Sequence, residues 1–387
     1  MYSILLVIIY LAFISLGLPD SLLGAAWPSM QPGLGVPVSY AGGISVIIAG
    51  GTIISSLFSN YLIHKLGTGK VTAISVAMTA AALFGFSVSG SYWQLCLWGI
   101  PYGLGAGSVD AALNNFVALH YKAKHMSWLH CFWGIGATAG PYIMGFVLTR
   151  GLSWNAGYRT ISVLQVILTA VLVFTLPLWK EKGGSAKEEE KQQPLSPLQV
   201  TKLPGAKGVL TGFFCYCSVE ATAGLWASSY MVNRGISAET AAKWAALFYL
   251  GITLGRFICG FVTAKINDKN MIRIGQFLIA CGIALLFLPS HNKLAFAGLI
   301  LMGLGCAPVY PSLIHATPKT FGADVSQSVI GVQMASAYVG TTFMPPLFGL
   351  LVEVLGIGFY PAYLVIFLVL MVVMLESVNR VKGTGRE

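Results

Sequence analysis

Residues 103–117 read Gly-Leu-Gly-Ala-Gly-Ser-Val-Asp-Ala-Ala-Leu-Asn-Asn-Phe-Val, and the opening tripeptide returns at an offset of 200 residues as Gly303-Leu304-Gly305. The same offset pairs Asp20 with Glu220, Gly24 with Gly224, Gly51 with Gly251 and Lys65 with Lys265. In a chain with 45 glycines any one match is cheap, but a constant offset held from residue 20 to residue 105 is not. Beyond it the register slips by a few positions, and Pro141 with Gly145 is echoed by Pro345 with Gly349. The chain therefore reads as two copies of one structural unit.

What that unit is follows from composition. The 387 residues are 56% hydrophobic and only 9% charged, far from globular averages. This excludes a soluble enzyme, a disulfide-stapled secreted module and a disordered tail. Apolar blocks separated by short polar or Gly/Pro breaks run near 3–26, 38–63, 71–89, 92–119, 127–149, 158–179, 208–232, 240–264, 271–289, 294–316, 326–352 and 359–377. Each is long enough for a helix of about 20 residues that crosses a bilayer. The predicted fold class is an all-α polytopic membrane protein, twelve transmembrane helices in two six-helix repeats. The only long polar stretch divides them six and six. The expected organisation is an N-terminal bundle over 1–180, a cytoplasmic linker over 181–206 and a C-terminal bundle over 207–387. The first apolar run lacks a basic leader and a small-residue cleavage site, so it is expected to stay as a helix.

The net charge of +10 is spread along the chain rather than massed, which argues against nucleic-acid binding. With the N-terminus inside, seventeen of the 23 Lys and Arg residues fall on cytoplasmic segments, among them Lys65, Lys122, Lys265, Lys319 and Arg386, and five on outer loops. That asymmetry predicts both termini inside. The seven cysteines lie within apolar stretches, without a CxxC pair or a histidine at metal-ligand spacing, and read as small buried hydrophobes. No metal or cofactor is expected. GxSxG, HExxH and GxxxxGK[ST] are all missing, so neither enzyme chemistry nor ATP-driven pumping has its usual parts.

Charge inside hydrocarbon costs at least about 2.5 kcal/mol per residue, so ionisable groups there are functional candidates. Four lie deep within the blocks: Asp20, Asp110, Glu220 and Arg256. A carboxylate in a low-dielectric cavity has its charged form disfavoured and can take up and release protons. Asp20 follows Pro19, whose missing N–H frees a carbonyl and breaks the helix beside the acid. Asp110 and Asn114, at i and i+4, share one helix face. Proton coupling is accordingly assigned to Asp110, Asp20 and Glu220.

Two parallel six-helix repeats joined by a cytoplasmic loop resemble the major facilitator architecture. The family's loop motif Gly-x-x-x-Asp-Arg-x-Gly is degraded here to Asn60, His64, Lys65 and Gly67, and its second copy to Gly260, Ala264 and Lys265. The string from Gly107 to Val117 resembles the Gly-x-x-Glu-x-x-x-Asn-x-Phe-Val element of the fucose:proton symporter family, and Asp20 resembles that family's acid in the first helix. The resemblance implies a proton-coupled, or alternatively sodium-coupled, monosaccharide symporter in which Asp20 and Asp110 contact sugar and proton. Asp replaces Glu at 110, His130 stands where Gln is frequent, and Glu220 is an added acid.

A sugar presents hydroxyls and one apolar face, so its cavity should mix amides and aromatics. Asp20, Asn114, Asn115, His130, Trp133, Trp27, Trp226, Tyr230, Tyr310 and Gln333 are the substrate candidates, and Arg256, Lys65 and Lys265 the gating ones. The expected protein is a monomer in the cell membrane that binds a small solute between its two halves. The alternative is a proton antiporter that exports amphipathic compounds. A receptor that binds solute without moving it is a third class.

Overall fold

The computed structural model describes residues 2–20, 22–36, 40–180, 195–236, 238–288 and 292–383. Every regular element among them is a helix. The long ones are α1 (Tyr2–Asp20), α2 (Leu22–Leu34), α3 (Tyr40–Leu66), α4 (Thr68–Val88), α5 (Tyr92–His120), α6 (Ala123–Thr149) and α7 (Trp154–Phe174). After two short helices come α8 (Ala206–Asn233), α9 (Ala238–Val262), α10 (Asp268–Phe287), α11 (Asn292–Phe321), α12 (Ser326–Leu355) and α13 (Tyr360–Gly383). The expected first span is carried by α1 and α2 together, the chain remaining apolar over Ile4–Trp27. Most of the expected linker, residues 181–194, lies outside the described residues, as does Arg386.

Ten stretches among the described residues are long and apolar enough to cross a membrane. The two further spans are α5 and α9. α5 has 29 residues, but Gln94, Asp110, Asn114 and Asn115 dilute its apolar character. α9 carries Arg256, and its apolar stretch among the described residues is Leu247–Val262. The helix least suited to lipid by composition is thus the one that carries the polar string read above.

The described residues fall into two compact units: one holds the chain up to Phe116 and again from Leu129, the other holds Val117–Trp128 and the chain from Leu195. The connection between α5 and α6 groups with the later helices. There Trp128 lies edge-on to Phe261, ring centroids 5.6 Å apart.

The internal repeat has a packing basis. Between apolar helices in lipid there is no water to expel, so close van der Waals approach over small residues holds them together. In the first unit a Cβ on Gly103 would strike the Ile48 carbonyl, and one on Gly105 that of Ser75. In the second, a Cβ on Gly303 would strike the Phe248 carbonyl, and one on Gly305 the backbone of Gly275 and Ile279. Ile48 and Phe248, and Ser75 and Gly275, are themselves 200 residues apart. The recurrent tripeptide marks where one helix crosses two neighbours backbone to backbone, α5 on α3 and α4, α11 on α9 and α10.

α1 and α6 meet the same way. A Cβ on Gly17 would collide with the Trp133 carbonyl, on Gly136 with that of Ile14, and on Gly140 with that of Leu18. This contact fixes α6 against the proline break of α1. Pro19 has no N–H to give to Ser15, four residues back. The freed Ser15 carbonyl instead accepts from Gln165 Nε2 on α7 at 2.5 Å.

Candidate functional site

In the first unit the close approach of α1 and α6 sets Asp20 against Trp133. The Trp133 indole Nε1–H donates to one carboxylate oxygen at 2.8 Å. The Tyr102 hydroxyl, from α5, donates to the other at 3.3 Å. Asp20 remains exposed and Trp133 half-buried, so a carboxylate and an aromatic side chain stand side by side and partly accessible. No Lys or Arg lies anywhere in α1, α2 or α5.

Behind this pair is a buried polar cluster. Asn114 Nδ2 donates to the Asp110 carboxylate at 2.8 Å and to its backbone carbonyl at 3.0 Å. Asn114 Oδ1 faces His130 Nε2, on α6, at 3.0 Å, and the Phe13 ring of α1 meets the imidazole edge-on at 5.5 Å. Asp110, Asn114, Asn115 and His130 are all buried. The sequence-based pairing of Asp110 with Asn114 is therefore a hydrogen bond, and His130 extends it by one link.

The second unit holds a different arrangement. Glu220, on α8, accepts from the Tyr216 hydroxyl one turn earlier and stands 3.4 Å from Arg256 Nη2 on α9. Tyr216 lies within reach of a second acceptor, the Cys306 carbonyl on α11, at 2.9 Å. Arg256 is 4% exposed, whereas the Glu220 side chain keeps 21%. Arg256 counters Glu220, an acid of its own unit. Tyr310 lies beside this group, its ring 6.1 Å from that of Tyr216.

The remaining candidates are placed elsewhere. Trp27 packs in an apolar core with Leu22, Met30, Ile44 and Leu95. Tyr230 donates to the Leu286 carbonyl at 2.8 Å, the same oxygen that Arg234 holds. Gln333 is fully buried and accepts from Thr317 at 2.9 Å. All three side chains are buried in these surroundings. Trp226 is half-buried and ties α8 to α12 through the Pro345 carbonyl at 3.0 Å. Lys65 is exposed and lies over Tyr61 at 6.0 Å. Lys265 lines a shallow basic groove with Asn267, Asn270 and Arg273, where Arg273 is bonded to Glu376 at 2.7 Å. Tyr102 and Tyr216, the two phenols that hold the acids, are absent from the sequence-based set. So is the buried pair of His315 and Asp268, 2.9 Å apart.

Two repeats of apolar helices long enough to cross a membrane, each with a carboxylate inside such a stretch held by specific donors, define a solute transporter. Comparison with known proteins agrees. The family model of the Major Facilitator Superfamily matches residues 9–243 and 208–379, and the chain belongs to that superfamily. Among curated relatives it is 22% identical to Bypass of stop codon protein 6 of Saccharomyces cerevisiae, over 90% of this chain and 77% of the relative. It is 23% identical to the glucose/mannose transporter GlcP of Bacillus subtilis, over 79% and 78%. Among solved structures it matches the transporter FucP in the outward conformation with a TM-score of 0.74 at 16% identity, covering 96% of this chain and 98% of that one. The proton:xylose symporter XylE matches with a TM-score of 0.77 at 13% identity, over 96% and 94%. At these identities the structural matches establish the fold. The protein is a multi-pass membrane transporter and not an enzyme.

Proposed function

We propose that the protein is a proton-coupled symporter of a monosaccharide or closely related polyol, working by alternating access. The observation that carries this reading is the exposed Asp20 carboxylate set against the half-buried Trp133 ring. A sugar needs both, an acceptor for its hydroxyls and an aromatic surface for its apolar face. The relatives named as a glucose/mannose transporter and a proton:xylose symporter support the same substrate class.

A contrast between the two units supports placing the proton at Asp20 in this reading. Asp20 is held by neutral donors, the Trp133 N–H and the Tyr102 hydroxyl, so protonating it leaves no opposite charge stranded. Glu220 sits beside Arg256, buried at 4%, and protonating it would leave a guanidinium uncompensated at membrane depth, which is costly. Asp20, backed by Asp110, is therefore the proton-carrying site of this reading, and Glu220 a standing counter-charge. That narrows the three acids of the sequence reading to two. Asn115 borders the same cluster, and Trp226 and Tyr310 are the second unit's candidates for sugar contact. The reading includes both termini on the cytoplasmic side of the cell membrane and a single chain as the working unit.

The test is uptake of a panel of labelled monosaccharides into proteoliposomes, with and without an inward proton gradient, and with and without sodium. The expected result is that at least one hexose or pentose accumulates against its gradient when protons alone are supplied. Accumulation that requires sodium, or proton-driven export of amphipathic compounds with no sugar uptake, would replace this reading.

A further inference from the structure

We propose that His130 is itself a proton-carrying residue of the transport cycle, wired to Asp110 through the side-chain amide of Asn114. The proposal deepens the reading of the first unit as the proton-coupled one and rests on it. The wiring follows from hydrogen-bond chemistry. One end of the Asn114 amide faces two acceptors, the Asp110 carboxylate at 2.8 Å and the Asp110 carbonyl at 3.0 Å, so that end is the NH2 group. The other end is then the oxygen, an acceptor only, and it faces His130 Nε2 at 3.0 Å. Nε2 must carry a hydrogen. A neutral His130 is consequently the Nε2–H tautomer, and a proton taken up by it goes to Nδ1.

The consequence is a charge change that leaves the polar cluster intact. The Nε2–H donor is present in both states of the ring, so the chain His130 to Asn114 to Asp110 survives protonation while the imidazole becomes a cation. The Asp110 carboxylate, two hydrogen bonds away, compensates that cation through an oriented amide. The charged and titratable groups around His130 are few. α5 brings Asp110, with Tyr102 two turns earlier. α1 brings Asp20, which Trp133 holds one turn from His130, and Tyr10, stacked on Phe132 at 4.6 Å. α6 itself carries Cys131 beside it, and Lys124 and His125 near its start. α1 and α5 present no Lys or Arg to repel a cation. Substrate arriving at Asp20 and Trp133 therefore meets a layer whose charge can change without its geometry changing.

The decisive experiment is nitrogen NMR of the purified full-length protein, side-chain 15N-labelled at histidine and held in lipid nanodiscs, scanned across about pH 5 to 8. His130→Gln assigns the resonance. The expected neutral form has a protonated Nε2 and a bare Nδ1 and converts to imidazolium within the scan. Asp110→Asn lowers the ratio of imidazolium to neutral ring at a given pH by about tenfold. An Nδ1–H tautomer, no imidazolium across the range, or a population indifferent to Asp110→Asn overturns the proposal. These readouts need no sugar, so they stand even if the substrate class is wrong. Where a transported sugar is in hand, His130→Gln keeps an N–H donor for Asn114 but cannot change charge. It is expected to alter the pH profile of proton-driven uptake. A profile identical to wild type counts against the proposal.

Discussion

Asp20→Asn is expected to abolish concentrative uptake while leaving a folded protein that still equilibrates sugar. The asparagine oxygen can still accept from the Trp133 indole or the Tyr102 hydroxyl, which hold the native carboxylate at 2.8 and 3.3 Å, but the side chain can no longer exchange a proton. The size of the effect follows from the driving force. One proton carried with each sugar across a gradient of one pH unit supports about a tenfold accumulation, since about 1.4 kcal/mol is a factor of ten. In the variant that ratio falls to one. Measuring the plateau of labelled sugar in proteoliposomes at imposed pH differences checks it. A variant that still accumulates sugar in proportion to the gradient removes Asp20 from the coupling.

Arg256→Met is expected to be among the most damaging single substitutions in the second unit, and to be rescued from across the pair. Arg256 is 4% exposed and stands 3.4 Å from Glu220. Removing it leaves a carboxylate without its counter-charge, which costs about 3 to 5 kcal/mol for a buried pair. The 21% exposure of the Glu220 side chain places the expectation at the lower end, about 3 kcal/mol. The double variant Glu220→Gln with Arg256→Met removes both charges and should recover most of the loss. Thermal unfolding of the four proteins in detergent gives the coupling directly. An Arg256→Met protein that melts with the wild type denies the pair its role as a fixed charge.

These two expectations turn on facts of unequal visibility in the sequence. The repeat was legible because backbone contact demands glycine: Gly103, Gly105, Gly303 and Gly305 stand where no Cβ fits, and chemistry so restrictive leaves a mark at a fixed offset. The pairing of Asp110 with Asn114 was legible because four residues is a helical turn. Tyr216 and Glu220 have the same spacing and could have been read the same way. The carbonyl freed by Pro19 was foreseeable, but its partner Gln165 lies 150 residues further on, and no local pattern encodes such a meeting. Tyr102 escaped for the same reason, since its link to Asp20 spans 82 residues. Trp27 and Tyr230 show the converse limit. A tryptophan or tyrosine near an apolar helix suits a sugar platform or a packed core equally well, and the neighbours, Met30 and Leu95 in one case and the Leu286 carbonyl in the other, are met only in the fold.

The central claim is that sugar and proton cross together. Proteoliposomes loaded with a pH-sensitive dye, at equal pH inside and out, with sodium absent and the membrane potential clamped at zero, test it directly. Addition of a transported sugar outside should acidify the lumen in wild type and leave it unchanged in Asp20→Asn. Sugar entry with no change of internal pH in the wild-type protein would contradict the account.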